Sequence, residues 1–309
     1  MNIMLGVTDR CTGGCAYCNL PQRAAPEMSL PEVLTVLVEA ADMGCQRLGI
    51  WGGEPLMRSD LGDIVAHAKD LGLFVTIDTN GHLLPERDDV LALADHINVS
   101  LDGDREAHDR ARGEGTFDRT MRGIRHASGK VPLWTITVLT RHNLDQVDWL
   151  LDTATENGFL TTFQVLHHNE TIGSNDGLRP DDDRLRQTVS RLLELKRAGA
   201  PIASSTRFLR YLRDWPDFEQ TRCARLDGAP PCLAGDLYCN VDVDGSLYPC
   251  SLFIDEIEAP NVRHTGFAEA FETLDRHGCG SCAATCFSEY NLLFGLDWST
   301  GWNWVRALR

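Results

Sequence analysis

The 309-residue chain has no apolar run approaching the ~20 residues that a membrane span needs. Met1–Arg10 lacks the order of charged, apolar and small residues that marks an export signal. Basic charge is scarce: 29 Lys and Arg stand against 45 Asp and Glu, a formal net charge of −16. Nucleic-acid binders normally carry a basic face, so the balance speaks against that class and for a cytoplasmic protein with neither nucleic-acid nor membrane partners. There is no solenoid-length repeat and no low-complexity segment. The 43% hydrophobic content suffices for a packed core, and the length allows one barrel-sized unit plus a smaller one.

Cysteine, in contrast, is plentiful. There are eleven, an odd number, in two dense groups of short spacing. Without an export signal, metal ligation explains them better than a disulfide framework. The first group is Cys11-Thr-Gly-Gly-Cys15-Ala-Tyr17-Cys18. Three thiolates on one loop can hold three irons of a cubane cluster and leave the fourth iron open. A structural zinc site wants a fourth ligand close by, and none is near in the sequence.

Residues 3–200 alternate short β-branched or apolar runs with longer amphipathic ones, the βα pattern of a parallel sheet. Strands are expected at Ile3–Val7, Arg47–Trp51, Leu73–Asp78, His96–Leu101, Leu133–Leu139 and Thr161–Leu166. Ser29-Leu-Pro-Glu32 reads as a capping box opening the first helix, and Asn143-x-x-Gln146 as the cap of a helix ending at Gly158. Six such units make a partial (β/α)6 TIM-like barrel, α/β in class, with its chemistry at the carboxyl ends of the strands. The cysteine loop, Gly52–Glu54, Asn80, Ser100, Asp102, Arg141 and His167 all fall at those ends. We expect the barrel over 1–200, a helical linker over 201–222, and a small cysteine-rich domain over 223–309.

The spacing C-x3-C-x2-C, with an aromatic before the third cysteine, resembles the radical S-adenosylmethionine (SAM) superfamily. The resemblance implies a [4Fe–4S] cluster on Cys11, Cys15 and Cys18, with SAM chelated at the open iron. Reductive cleavage of SAM would then give a 5′-deoxyadenosyl radical that abstracts a hydrogen from substrate. Gly52-Gly53-Glu54-Pro55 looks like the family's GGEP motif, its glycines allowing close approach to the ligand and its carboxylate or carbonyl accepting from the SAM ammonium. Ser100 and Asp102 resemble the segment that contacts the SAM ribose and carboxylate. Asn80 and Arg141 are placed with them as SAM contacts, and Tyr17 packs either near the adenine or against the barrel. His167, His168 and Glu170 are candidate substrate contacts or proton acceptors. Asp104, His108 and Arg112 read as a solvated helical face, and Trp298, Trp302 and Trp304 as a tail plug or a lid.

The second cysteine group contains Cys232, Cys239, Gly245 and Cys250, then Cys279-Gly-Ser-Cys282-Ala-Ala-Thr-Cys286. The alternation after Cys239, followed by Asp244-Gly245, reads as a β-hairpin. The pattern resembles the SPASM and shorter twitch extensions of the same superfamily, which hold auxiliary [4Fe–4S] clusters. Cys239 and the hairpin Asp244-Gly-Ser-x-Tyr-Pro-Cys250 resemble anaerobic sulfatase-maturating enzymes. No cysteine follows Cys286, so one auxiliary cluster is expected, on Cys232 and Cys250 with two of Cys239, Cys279, Cys282 and Cys286. The implied function is a net oxidation of a small molecule or short peptide in a biosynthetic pathway, with a flavodoxin- or ferredoxin-type electron donor. Peptide crosslinking or epimerisation, and adenosyl transfer, are the alternatives; a non-catalytic iron–sulfur carrier would have no use for a SAM pocket. With ten residues before Cys11, no fused leader-binding domain is expected.

Overall fold

A computed structural model of the chain describes residues 1–169, 171–173, 177–223, 225–276 and 280–307. Glu170 and Cys279, both singled out above, lie outside the described residues.

Six strands come first: β1 (Asn2–Gly6), β2 (Arg47–Trp51), β3 (Phe74–Thr79), β4 (His96–Ser100), β5 (Leu133–Leu139) and β6 (Leu160–Val165). Each pairs in parallel with the next in chain order, and the sheet stays open, as a partial barrel. Helices α1 (Leu20–Arg23), α2 (Leu30–Asp42), α3 (Leu61–Asp70), α4 (Asp88–Leu91), α5 (Arg105–Arg112), α6 (Thr116–Ala127) and α7 (Val147–Asn157) lie between them. Helices α8 (Asp182–Arg197) and α9 (Thr206–Arg213) follow. Side chains alternate between the helix layer and the lumen, as a strand's two-residue period requires. In β5, Leu133, Thr135, Thr137 and Leu139 are buried while Trp134, Ile136 and Val138 are half-buried.

Local signals explain the boundaries. At the start of α2 the Ser29 N–H and hydroxyl both donate to Glu32, at 2.7 Å each. Helix α7 ends on Gly158, whose φ of 71° suits only a residue without a Cβ penalty. The expected cap at Asn143 is different. Its oxygen accepts from the Thr140 N–H (2.7 Å) and its amide donates to the carbonyls of Asp102 (3.0 Å) and Val138 (2.9 Å). Asn143 thus braces the rim instead of the helix.

Strands β7 (Arg222–Cys223), β8 (Tyr238–Val241), β9 (Leu247–Tyr248) and β10 (Ser281–Cys282) belong to the cysteine-rich segment. β8 and β9 form the expected hairpin, and β7 pairs with β10. The hairpin is not a sheet of its own. β8 runs parallel to β1, with Asn2 opposite Tyr238 and Leu5 opposite Val241, and the barrel sheet continues as β6-β5-β4-β3-β2-β1-β8-β9. An open edge offers unpaired backbone groups, and here β8 satisfies those of β1. Arg23 reinforces the seam by bridging Asp9 (2.9 Å) and Asp242 (2.5 Å), all three side chains being largely buried.

Helices α10 (Val262–Thr265), α11 (Phe267–Glu272), α12 (Thr285–Phe294) and α13 (Trp298–Ala307) complete the chain. α12 lies against β6, where the Thr285 hydroxyl donates to the Phe163 carbonyl at 2.8 Å. In α13, Trp304 packs on Trp134 and Tyr290 with centroids 5.8 and 5.9 Å apart, closing the lumen at the amino ends of the strands. That is a plug at the base, away from the cysteine loop, and not a lid. Trp298 and Trp302 are 90% and 59% exposed. Among the described residues no helix is long and apolar enough to cross a membrane.

Candidate active site

The cysteine loop joins β1 to α1 at the carboxyl mouth of the barrel. Its approach is set by the Gly52-Gly53-Glu54 turn after β2. The N–H groups of Gly53 and Glu54 donate to the carbonyls of Thr8 (2.7 Å) and Arg10 (2.8 Å). A Cβ on Gly52 would stand 2.3 Å from the Thr8 carbonyl oxygen, and one on Gly53 2.4 Å from those of Asp9 and Arg10. These glycines therefore admit the backbone that leads from β1 into the cysteine loop, in addition to the close approach to a ligand expected of them.

Glu54 is wholly buried. Its carboxylate accepts from the Leu56 N–H (3.1 Å), the Thr79 hydroxyl (2.7 Å) and the Asn80 N–H (2.8 Å). Burial pushes its pKa up to about 7, the hydrogen bonds opposing the rise. With its oxygens so engaged, the side chain ties β2 to β3 and leaves the strand-edge backbone as the group able to meet a ligand.

The three thiols each receive N–H donors. Gly13 N–H and the Asn80 amide address Cys11 at 3.3 and 3.6 Å. The Arg112 guanidinium addresses Cys15 at 3.8 Å, and the Leu20 N–H faces Cys18. Asn80 also donates to the Thr12 hydroxyl (3.0 Å), which pairs with His82 Nδ1 (2.9 Å). Asn80 thus secures the loop. Burial pushes all three thiols above their ordinary pKa, with the N–H donors opposing the rise. Three cysteines on one loop, each addressed by N–H donors, are a donor set suited to an iron–sulfur cluster with an open iron.

Asp102 and Tyr17 meet each other. The Tyr17 hydroxyl donates to Asp102 Oδ2 at 2.7 Å, Arg112 Nε donates to the same oxygen at 2.6 Å, and the Val138 N–H donates to Oδ1 at 2.8 Å. Asp102 is wholly buried and occupied, so it holds the loop in place of reaching for SAM's carboxylate. His108 and Arg112 are buried as well, contrary to the solvated face expected for this helix. The clue was present: Ala107 and Ala111 share their stretch, and a small-residue stripe lets a helix end approach a loop closely. Ser100 stands half-buried at the end of β4. Arg141 is exposed and bonds its neighbour His142 at 3.2 Å, so the structure does not bring it to the loop.

After β6, His167 is half-buried and His168 exposed. Desolvation lowers the His167 pKa to about 4, so its ring is neutral at neutral pH. Between them and the cysteine-rich segment runs a cleft lined by Tyr17, Cys18, Gln164, His167, Ser251 and Leu252. Asn169, which the sequence gave no reason to select, fastens this wall. Its oxygen accepts from the N–H groups of Thr171 and Ile172, and its amide donates to the Ile254 carbonyl at 3.0 Å.

In the second group, Cys232, Cys250 and Cys282 gather around the Tyr238 phenol. Cys250 and Cys282 share an apolar shell with Phe253, Ile254, Ala284 and Phe287. Cys239, next to Tyr238 on β8, necessarily faces the other way. It is buried in the main core beside Cys45, so the structure separates it from the other three. Cys286 is separated too: it lines the lumen with Arg47, Asn98 and Tyr290. Cys223 lies on β7 opposite Ser281, beside this group. Cys250→Ala is expected to lower bound iron by about four per chain, the content of one cubane cluster, while Cys239→Ala leaves it unchanged. Colorimetric iron analysis after anaerobic reconstitution reads the difference.

A thiol loop at the carboxyl mouth of an open parallel barrel, with a second cysteine group behind the opposite wall of its cleft, suits an iron–sulfur enzyme of α/β class. Residues 5–154 match the model of the radical SAM superfamily and form a radical SAM domain. The cofactors of that superfamily are a [4Fe–4S] cluster and SAM. The chain is similar to the PqqA peptide cyclase of Gluconobacter oxydans, 28% identical over 285 residues that cover 87% of this chain and 75% of the relative. Its fold is similar to that of Streptococcus suis SuiB bound to S-adenosylmethionine, with a TM-score of 0.70 and 17% identity over 90% of this chain. It spans 66% of the SuiB chain, just under two thirds. The fold is also similar to native anSMEcpe with bound AdoMet and Kp18Cys peptide, with a TM-score of 0.68 and 14% identity over 98% of both chains.

Proposed function

We propose that this enzyme removes a hydrogen atom from a short peptide held in the cleft, in a net oxidation assisted by an auxiliary [4Fe–4S] cluster. The cleft carries the reading. One wall holds Cys18 and Tyr17; the other holds Ser251 and Leu252, which directly follow Cys250. A substrate seated there would touch Cys18 on one side and the residue next to Cys250 on the other. The cofactors supply one thing when bound: a 5′-deoxyadenosyl radical from reductively cleaved SAM, paid for by an electron from a flavodoxin- or ferredoxin-type donor.

The chain's own residues do the rest. Cys11, Cys15 and Cys18 hold the SAM cluster. The Ser100 hydroxyl and the backbone at Gly52–Glu54 contact SAM. Cys232, Cys250, Cys282 and a fourth cysteine, Cys279 by its C-x-x-C spacing, hold the auxiliary cluster; its apolar casing suits electron acceptance, because full thiolate ligation leaves no iron for substrate. His167 lines the cleft and its Nε2 has no partner among the described residues, so it is the candidate to take up the proton released on oxidation. Similarity to a peptide cyclase and to a peptide-bound structure supports a peptide over a free metabolite. Anaerobic incubation with dithionite and SAM tests the reading: 5′-deoxyadenosine and methionine are expected in equal amounts by liquid chromatography. Absence of both would sink it.

A further inference from the structure

The carboxyl end of α5 supplies both the seat of the cysteine loop and a charge aimed at it. The carbonyls of Ala111 and Arg112 accept from the N–H groups of Ala16 (2.9 Å) and Gly14 (3.3 Å). The Arg112 side chain then threads between Asp102 and Cys15, with Nε 2.6 Å from Asp102 Oδ2 and Nη1 3.8 Å from Cys15 Sγ. Its guanidinium carbon lies 5.5 Å from the centre of the Tyr17 ring. Arg112 and Asp102 are 8% and 0% exposed, so water screens neither charge well.

We propose that the Arg112–Asp102 pair sets the reduction potential of the cluster held by Cys11, Cys15 and Cys18, with Arg112 acting as a positioning residue. The inference rests on Cys15 being a ligand of that cluster. Hydrogen bonds to the sulfurs, net charge and burial are the levers by which a protein tunes such a potential. Reduction adds an electron. The guanidinium and its N–H···S bond stabilise the added charge and raise the potential; Asp102 opposes it and fixes the guanidinium's direction. The signs follow. Removing Arg112 leaves an uncompensated buried carboxylate and lowers the potential. Neutralising Asp102 leaves the cation unopposed and raises it. Removing both leaves only the loss of the N–H···S bond, so the double variant falls between the single ones. One unit charge within a few ångströms, at an effective dielectric of about 20, changes the reduction equilibrium at least about tenfold. A purely structural pair would not move the two single variants in opposite directions.

The test is reduction potentials by EPR-monitored redox poising of the cluster-loaded enzyme without SAM, for wild type, Arg112→Gln, Asp102→Asn and the double variant. The auxiliary cluster's signal serves as an internal reference. A lower midpoint for Arg112→Gln, a higher one for Asp102→Asn and an intermediate double variant are expected. Unchanged midpoints, or shifts of the same sign in both single variants, overturn the proposal. Where Arg112→Gln fails to load iron, Arg112→Lys and Asp102→Asn decide. A midpoint near wild type in the first and above it in the second supports the proposal, and a lower midpoint in Asp102→Asn overturns it. Cys15→Ala is measured alongside. If it keeps all its iron, the ligand assignment itself fails; if it loses a cluster while the midpoints stay fixed, only the tuning role fails.

Discussion

Cys18→Ala abolishes 5′-deoxyadenosine formation and removes about four irons per chain, the content of one cubane cluster, in the largest effect we expect. The loop has three thiols and no fourth cysteine within reach in the sequence. Each thiol is met by a different N–H donor, so none can take another's place. The fold should survive. The loop's backbone is held independently by Thr8, Arg10, Ala111 and Arg112, and Cys18 takes no part in the apolar core. Circular dichroism of Cys18→Ala should therefore overlay that of the wild type while product by chromatography falls at least a hundredfold, about 2.7 kcal/mol or more in the barrier. A variant that keeps activity would show that the loop does not carry the cluster.

The second large effect falls on stability. Glu54→Ala leaves three buried donors without their acceptor. Each such loss costs about 1–3 kcal/mol, so about 3 kcal/mol or more is expected, a large share of a typical domain's stability. The same carboxyl gives stability a pH dependence. Its folded pKa is about 7 against an ordinary 4.5. Between those values the folded chain holds a proton that the unfolded chain releases, so stability falls as pH rises from about 4.5 to 7. The contribution is on the order of 3 kcal/mol. Glu289, also buried with a pKa near 7, adds a second contribution of the same sign. Urea unfolding of the cluster-loaded protein under nitrogen, followed by tryptophan fluorescence at pH 5 and pH 7.5, checks both points. Glu54→Ala should unfold at lower urea at either pH, and its change in stability between pH 5 and pH 7.5 should differ from that of the wild type by on the order of 2 kcal/mol, the buried histidines contributing equally to both chains. An unchanged pH difference would show that Glu54 titrates normally.

Much of this architecture is local, and what is local was legible. The six strands follow from β-branched runs, and the cysteine loop and the Gly52–Glu54 turn sit where strand ends place them. What was hidden depends on pairing at a distance. Nothing around Tyr238 announces that β8 will join β1, because the partner lies more than two hundred residues earlier. Once β8 is a strand, however, Tyr238 and Cys239 must face opposite sides, so the removal of Cys239 from the auxiliary group could have been read from alternation alone. Cys286 is different: it sits one residue into α12, and only the helix's packing against β6 turns it to the lumen. Asp102 and Glu54 were found as rim residues, but their roles were not. A carboxylate at a strand end serves a ligand or the scaffold according to how many donors surround it, and those donors come from Tyr17, Arg112, Val138, Thr79 and Asn80 on other elements. Arg112 was misread for the same reason, since the charge of its own helix suggested solvent.

Two clusters flank one cleft in the proposed enzyme, the first on the β1–α1 loop and the second around Tyr238. Iron and acid-labile sulfide per chain, with Mössbauer spectra of the anaerobically reconstituted protein, test this most directly. About eight of each, entirely as [4Fe–4S], is the expected result. About four would leave the Tyr238 group without a cluster, and about twelve would require a third set of ligands that the described cysteines do not provide; either value contradicts the account.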